Sequence, residues 1–223
     1  MAIILCIDTT GEAGSIALAE NGREIGFLEN NDKNTHASWL QSAIQDLLHS
    51  SGFTINRLQA VAVSSGPGSY TGLRVGMASA KGLCYALGIP LIEENSLKVM
   101  TMGLQQQDKS FDLYCPMVDA RRMEVFMAMY NNDLEEIMPP LAKILDEQSF
   151  IDKLEDNKMI FFGSGSVKLK KILNHKNAFF SERMHSAREL ITIAEHKYLN
   201  KEFADLAYSV PFYVKEFYDT RKK

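Results

Sequence analysis

Cysteine is scarce in this chain. Cys6, Cys84 and Cys115 are its three, each among apolar neighbours and none with a CxxC partner. That excludes a zinc-ribbon or dithiol redox motif and reads as buried free thiols of a reducing compartment. Long apolar runs are missing as well. The first, residues 2–7, stops at Asp8 and lacks a basic start. It suits a buried strand rather than a signal peptide or membrane span, so the expected location is the cytoplasm, with no membrane attachment. Positive charge is not in excess. With 24 Lys and Arg against 28 Asp and Glu, the net charge is −4, and there is no global electrostatic case for nucleic-acid binding. The basic groups Lys168, Lys170, Lys171 and Arg221, Lys222, Lys223 read as solvated faces.

Catalytic signatures are also missing. The glycine-rich stretch GPGSYTGLRVG, residues 66–76, carries no Gly-Lys-Ser/Thr, and its glycines at 66, 68, 72 and 76 do not fit GxGxxG. His36 is followed four residues later by Leu40, so the i, i+4 histidine pair of a helical metal site is incomplete. His49, His175, His185 and His196 show no metal spacing with it, and no Ser–His–Asp or Cys–His arrangement is supported by spacing. No metal and no cofactor is expected.

What is present is a pattern used twice. An apolar strand at 3–7 ends at Asp8, a second runs over 15–19, and Asn21-Gly22 turns the chain into a third at 23–29. A helix follows at 36–50, with Leu40, Ala43, Ile44, Leu47 and Leu48 as its apolar stripe and Thr35 as its expected cap. The nearly continuous apolar strand at 59–64 leads through the glycine loop into a helix ending near Leu87 and stopped by Gly88. A strand at 90–92 and a helix from Ser96 to about 106 close the half, and the polar run 105–110 is an expected hinge. The second half offers strands at 113–118 (ending at Asp119), 123–130 and 134–144, a helix at 146–154, a strand at 158–162, the turn Gly163-Ser164-Gly165, and helices at 167–173 and 187–199. This repeated order implies an α/β protein of two ribonuclease-H-like lobes with a cleft between them. The lobes are expected at 1–107 and 108–223, with a last segment able to pack back on the first lobe.

Three constellations stand out. Asp8, Thr9, Thr10 and Gly11 can form a metal- and phosphate-holding turn or a plain Asx turn. Its counterpart, Asp119-Ala120-Arg121-Arg122, lacks the glycine that close phosphate approach requires, although the arginines can bind an anion or a carboxylate. In the helix after the glycine loop, Gly72, Gly76 and Ala80 repeat every four residues beside Ser79. That row can receive a foreign helix or pack against the chain's own sheet.

The residues DTT at 8–10, SSGPGSYTGLRVGMASAKGL at 64–83, GIPL at 88–91 and VDARRMEVFMAMY at 118–130 resemble the TsaB (YeaZ) family of tRNA threonylcarbamoyladenosine (t6A) biosynthesis. The strong match covers residues 3–97 and 116–130; in the tail Pro211 and Tyr213 fit, while Lys215 stands in place of an expected Arg. The resemblance implies the actin/Hsp70/sugar-kinase (ASKHA) fold and a non-catalytic subunit. Such a subunit binds and activates TsaD, which transfers the threonylcarbamoyl group to adenosine 37 of ANN-reading tRNAs. It implies that TsaD pairs through helices of the first lobe, that the ATPase TsaE joins the pair, and that tRNA is reached through the complex. A homodimer of the free chain is a further expectation. Carried onto this sequence, the partner interface would comprise His36, Trp39, Leu40, Ala43, Leu47, Gly72, Leu73, Val75, Gly76, Ser79 and Ala80. On this reading Gly76→Leu blocks pairing and spares the fold. A vestigial nucleotide cleft would comprise Asp8, Thr9, Thr10, Gly66, Gly68, Asp119 and Arg121. The alternative is an ATP-binding phosphotransferase or ATPase using that interlobe cleft.

Overall fold

The computed structural model describes residues 2–32 and 35–215, so the basic end at 221–223 lies outside the described residues. The first half runs β1 (Ile3–Asp8), β2 (Gly14–Glu20), β3 (Arg23–Asn30), α1 (His36–Ser50), β4 (Ala60–Gly66), α2 (Tyr70–Leu87), β5 (Leu91–Asn95) and α3 (Ser96–Gln105). The second repeats that order with β6 (Leu113–Asp119), β7 (Glu124–Tyr130), β8 (Glu136–Ile144), α4 (Ile151–Leu154), β9 (Met159–Phe162), α5 (Ser166–Lys170), β10 (Ala178–Ser181) and α6 (Arg188–Leu199). Each half builds one five-stranded mixed sheet, ordered β3-β2-β1-β4-β5 and β8-β7-β6-β9-β10. The near-continuous apolar β1 and β4 pair in parallel at the centre and are buried throughout, as strands covered on both faces must be. The more polar β3 takes the edge.

The helices cover these sheets in an exchanged manner. α1 and α2 bury their stripes, led by Leu40, Leu47 and Met77, on one face of the first sheet. Its other face is covered by α6, through Leu190, Ile191, Ile193 and Ala194. Helix α3 turns its Leu97, Met100 and Leu104 to the second sheet, against Tyr114, Ala128 and Phe162. Thus α3 and α6 lie against each other between the sheets. The expectation that the last helix closes the second half holds for chain order and not for packing. After α6 the chain continues along the first sheet: Ala204 bridges Leu91, and Phe212 N donates to Ser65 O at 2.7 Å.

Several local expectations are corrected. Thr35 precedes α1 but makes no side-chain cap; its hydroxyl donates to Asp32 O instead. Asn95, not Ser96, caps α3, its Oδ1 accepting from Leu97 N at 2.9 Å. The helix expected at 146–154 shrinks to α4, because Phe150 adopts a left-handed φ of 71° that ends helical continuity upstream. The four-residue β10 falls between the helices expected at 167–173 and 187–199, where no element is expected. The polar run at 105–110 is tied to the second lobe, with Gln105 Nε2 donating to Asn131 O at 2.7 Å and the Tyr114 hydroxyl to Asp108 O at 2.9 Å. The Pro139-Pro140 strand survives as β8 because it lies at an edge and pairs with β7 alone.

Candidate functional site

The cleft lies where β1 and β6 end. Asp8 sits at the last position of β1 and is buried. Its Oδ1 accepts from Thr10 N at 2.9 Å and Thr10 Oγ1 at 2.8 Å. Its Oδ2 accepts from Ser64 Oγ at 2.6 Å and lies 3.4 Å from His185 Nε2. His185 Nε2 also meets Thr10 Oγ1 at 2.9 Å. Burial opposes ionisation of Asp8, but the His185 charge, with hydrogen bonds from His185, Ser64 and Thr10, holds its pKa down to about 2. Burial likewise opposes protonation of His185, and the Asp8 carboxylate beside it raises its pKa nonetheless. The carboxylate that could have held a metal is therefore engaged by the chain's own donors. His185, from the segment between β10 and α6, is the residue that sequence spacing missed. It belongs to no motif, and only the return of α6 to the first sheet brings it to β1.

The second lobe repeats this self-neutralisation. Asp119 Oδ1 accepts from Lys168 Nζ at 2.8 Å and from Arg121 N at 2.6 Å. Partial burial works against its ionisation, and Lys168 lowers its pKa regardless. Between the two turns is a cavity of about 410 Å³ lined by Thr10, Gly68, Asp119, Ser164 and His185, among others. Of the residues assigned to a vestigial cleft, Thr10, Gly68 and Asp119 come together there. Asp8 and Thr9 are buried and do not line it, and neither do Gly66 and Arg121. Among the described residues no group of three metal-ligating side chains occurs. Burial pushes the Cys84 thiol up to about 11 and raises those of Cys6 and Cys115 too, which leaves all three inert as nucleophiles.

The helical face needs a larger correction. Gly72, Gly76 and Ala80 are buried against the chain's own first turn and sheet. A Cβ on Gly72 would fall 1.9 Å from Thr9 O, and one on Gly76 2.4 Å from Thr9 Oγ1. Thr9 Oγ1 donates to Gly72 O at 2.6 Å, and Ser69 N to Thr10 O at 2.8 Å. The glycines let α2 close on the 9–10 turn, so Gly76→Leu would break the fold rather than spare it. Leu73, Met77 and Cys84, buried on the same side, were the sequence signal that this row faces inward. His36, Leu40, Ala43, Leu47 and Leu73 are buried as well. His36 Nε2 lies 3.1 Å from Glu12 O, and the ring packs on Gly14. Of the eleven interface residues expected, Trp39, Val75 and Ser79 remain partly accessible.

A different row is open. Thr71, Ala78, Gly82 and Ala86 are exposed beside half-buried Val75, at the three- and four-residue spacing of one helix face. A Cβ on Gly82 would meet nothing within 4 Å. Tyr85 on this side is 84% exposed. Alongside run the uncharged outer positions of α1, Ser38, Gln41, Ser42 and Gln45, joined to α2 by Gln41 Nε2 donating to Ser79 Oγ at 2.8 Å. An open groove of about 750 Å³ follows at the end of α1, lined by Ile44, His49, Phe53, Ile55 and Leu83 among others. Among exposed residues of the two helices, Asp46 and Arg74 carry the formal charges. Arg74 is occupied, stacking on Tyr70 and donating to the Tyr213 hydroxyl at 3.2 Å.

Two lobes of this topology, related by an internal repeat and facing one cleft, define an ASKHA-type α/β protein. Solved structures agree on that fold. YeaZ from Pseudomonas aeruginosa matches with a TM-score of 0.81 at 22% identity, covering 96% of this chain and 100% of that one. The activator of 2-hydroxyisocaproyl-CoA dehydratase from Clostridium difficile, with bound ADPNP, matches at 0.51 and 8% identity, covering 91% and 98%. The family profile described as TsaD, tRNA N6-adenosine threonylcarbamoyltransferase, matches residues 23–220. The tRNA threonylcarbamoyladenosine biosynthesis protein TsaB of Bacillus subtilis is 30% identical over 222 residues, 95% of this chain and 93% of the relative. The chain belongs to the TsaB (YeaZ) family. No helix among the described residues is long and apolar enough to cross a membrane.

Proposed function

We propose that this chain is a non-catalytic subunit that binds and activates TsaD in the cytoplasm for formation of t6A at adenosine 37 of ANN-reading tRNAs. TsaE joins the pair, tRNA is engaged by the assembled complex, and the free chain can pair with itself through the same face. One contrast carries the reading. The cleft carboxylates Asp8 and Asp119 are neutralised from within by His185 and Lys168, while the outer faces of α1 and α2 are open and nearly free of charge. Uncharged, small-residue faces let backbones approach closely, and depletion of charge at the centre marks interfaces. The docking surface is therefore assigned to Val75, Ala78, Ser79, Gly82 and Tyr85, with Gln41 and Gln45. What counts against the phosphotransferase alternative is that both oxygens of Asp8 are taken up by Thr10, Ser64 and His185, and that Asp119 Oδ1 is paired with Lys168.

Reconstitution tests the reading. TsaD, TsaE, ATP, a threonylcarbamoyl donor and unmodified tRNA are assayed with this chain present or omitted. Product should require the chain, and the chain without TsaD should give none. Turnover by the chain alone, or full activity without it, would overturn the proposal.

A further inference from the structure

The turn between β6 and β7 has a cost that the fold does not explain. Arg121 and Arg122 both adopt left-handed backbone, with φ of 70° and 43°. Glu124 N donates to Arg121 O at 3.0 Å, so Arg122 is the first central residue of a tight hairpin turn. A positive φ there favours glycine, and side-chain-bearing residues adopt it at a cost. Glycine at both positions would serve the hairpin better. What the arginines add is two guanidinium groups, and both residues are exposed. Among the described residues no hydrogen bond or ion pair engages either side chain. The nearby acids are already matched: Lys168 pairs with Asp119, and Lys215 with Glu124. The two free guanidinium groups are thus a local positive excess on a chain of net charge −4.

We propose that this arginine turn binds phosphodiester oxygens of the tRNA backbone, a role that rests on the proposed place of the chain in t6A formation. Guanidinium groups match phosphate oxygens bidentately, and an exposed hairpin tip can present two of them side by side. The placement also fits. Lys215 reaches the turn from the tail, whose Tyr213 ring packs on Tyr70 at the start of α2. The turn is therefore connected through the tail to the first residue of the docking helix, Tyr70.

The test compares the wild-type chain with R121G/R122G and R121Q/R122Q, each alone and with TsaD. Anisotropy of a fluorescent, unmodified ANN-reading tRNA is read across a salt series, and TsaD association is measured separately without RNA. The glycine variant should keep or raise its melting temperature, since it relieves the backbone. Both variants should keep TsaD association, bind tRNA roughly tenfold more weakly near physiological salt, and lower the log–log salt slope by about 1.4–1.8 for two lost phosphate contacts. Three results would overturn the proposal: no salt-dependent tRNA affinity in the wild type, alone or with TsaD; an unchanged slope in both variants; or lost TsaD association that accounts for the whole tRNA effect, which would place a partner carboxylate on the turn. A wild-type chain that does not associate with TsaD would overturn the proposed function instead, and it shows in the association measurement while the tRNA comparison on the chain alone still stands.

Discussion

Two glycines of one helix should respond to alanine in opposite directions. Glycine inside a helix costs about 1 kcal/mol relative to alanine. At Gly82 nothing lies within 4 Å of the added methyl, so Gly82→Ala should recover that ~1 kcal/mol in full. For a chain of this size the melting temperature should rise by about 2–4 °C. At Gly76 the same methyl falls 2.4 Å from Thr9 Oγ1, while Val63 and Ile7 stand at ordinary contact, 3.6 and 3.7 Å away. Relief requires the Thr9 hydroxyl to move, which breaks its 2.6 Å bond to Gly72 O in a buried setting. Leaving buried polar groups unpaired costs about 1–3 kcal/mol, and overpacking a similar amount. With the propensity gain set against these, Gly76→Ala should lose roughly 1–5 kcal/mol. Urea unfolding followed by the fluorescence of Trp39, the single tryptophan, which packs against the first-lobe core, reads both changes. Equal stabilisation by the two variants would refute the argument that Gly72, Gly76 and Ala80 face inward.

Two further outcomes follow from the same geometry. His185 gains its raised pKa on folding, so its contribution is complete below its ordinary value of 6.5 and is lost as pH rises through the raised one. Asp8, held near 2 against an ordinary 3.8, contributes above that ordinary value and fades as pH falls toward 2. Stability should therefore peak between about pH 4 and 6.5. His185→Gln should remove the decline on the alkaline side and cost about 3–5 kcal/mol at pH 5.5, measured by urea unfolding across pH. Leu40→His would restore a paired-histidine spacing, but Leu40 is fully buried and His36 faces Glu12 O. The variant should lose about 2–4 kcal/mol and bind Zn²⁺ no more tightly than wild type in a dye-competition titration.

The repeated order of strands and helices was legible because strand apolarity, Asn21-Gly22, Gly88 and the stripe of α1 are local signals. Both lobes could be drawn from them. Burial direction was harder. Helix α2 carries small residues on two sides, Gly72–Gly76–Ala80 and Ala78–Gly82–Ala86, and spacing alone cannot tell which meets the 9–10 turn. Flanking Leu73, Met77 and Cys84 break the tie, since large apolar residues cluster on the buried side. The role of His185 had no local signal. It depends on α6 crossing to the first sheet, a contact between residues 177 positions apart in sequence (185 against 8). The strand at Ala178–Ser181 was hidden by its brevity and its edge position.

On the proposed function, TsaD docks on the open face of α1 and α2, with Gly82 near the middle of the contact. Gly82→Glu tests it most directly, because the site is exposed, the helix gains propensity, and a carboxylate is placed in the middle of the proposed contact. Calorimetric titration of TsaD with the wild-type and variant chains is the measurement. The variant should be equally or more stable and bind TsaD roughly a hundredfold more weakly. Wild-type affinity in a folded Gly82→Glu chain would contradict it.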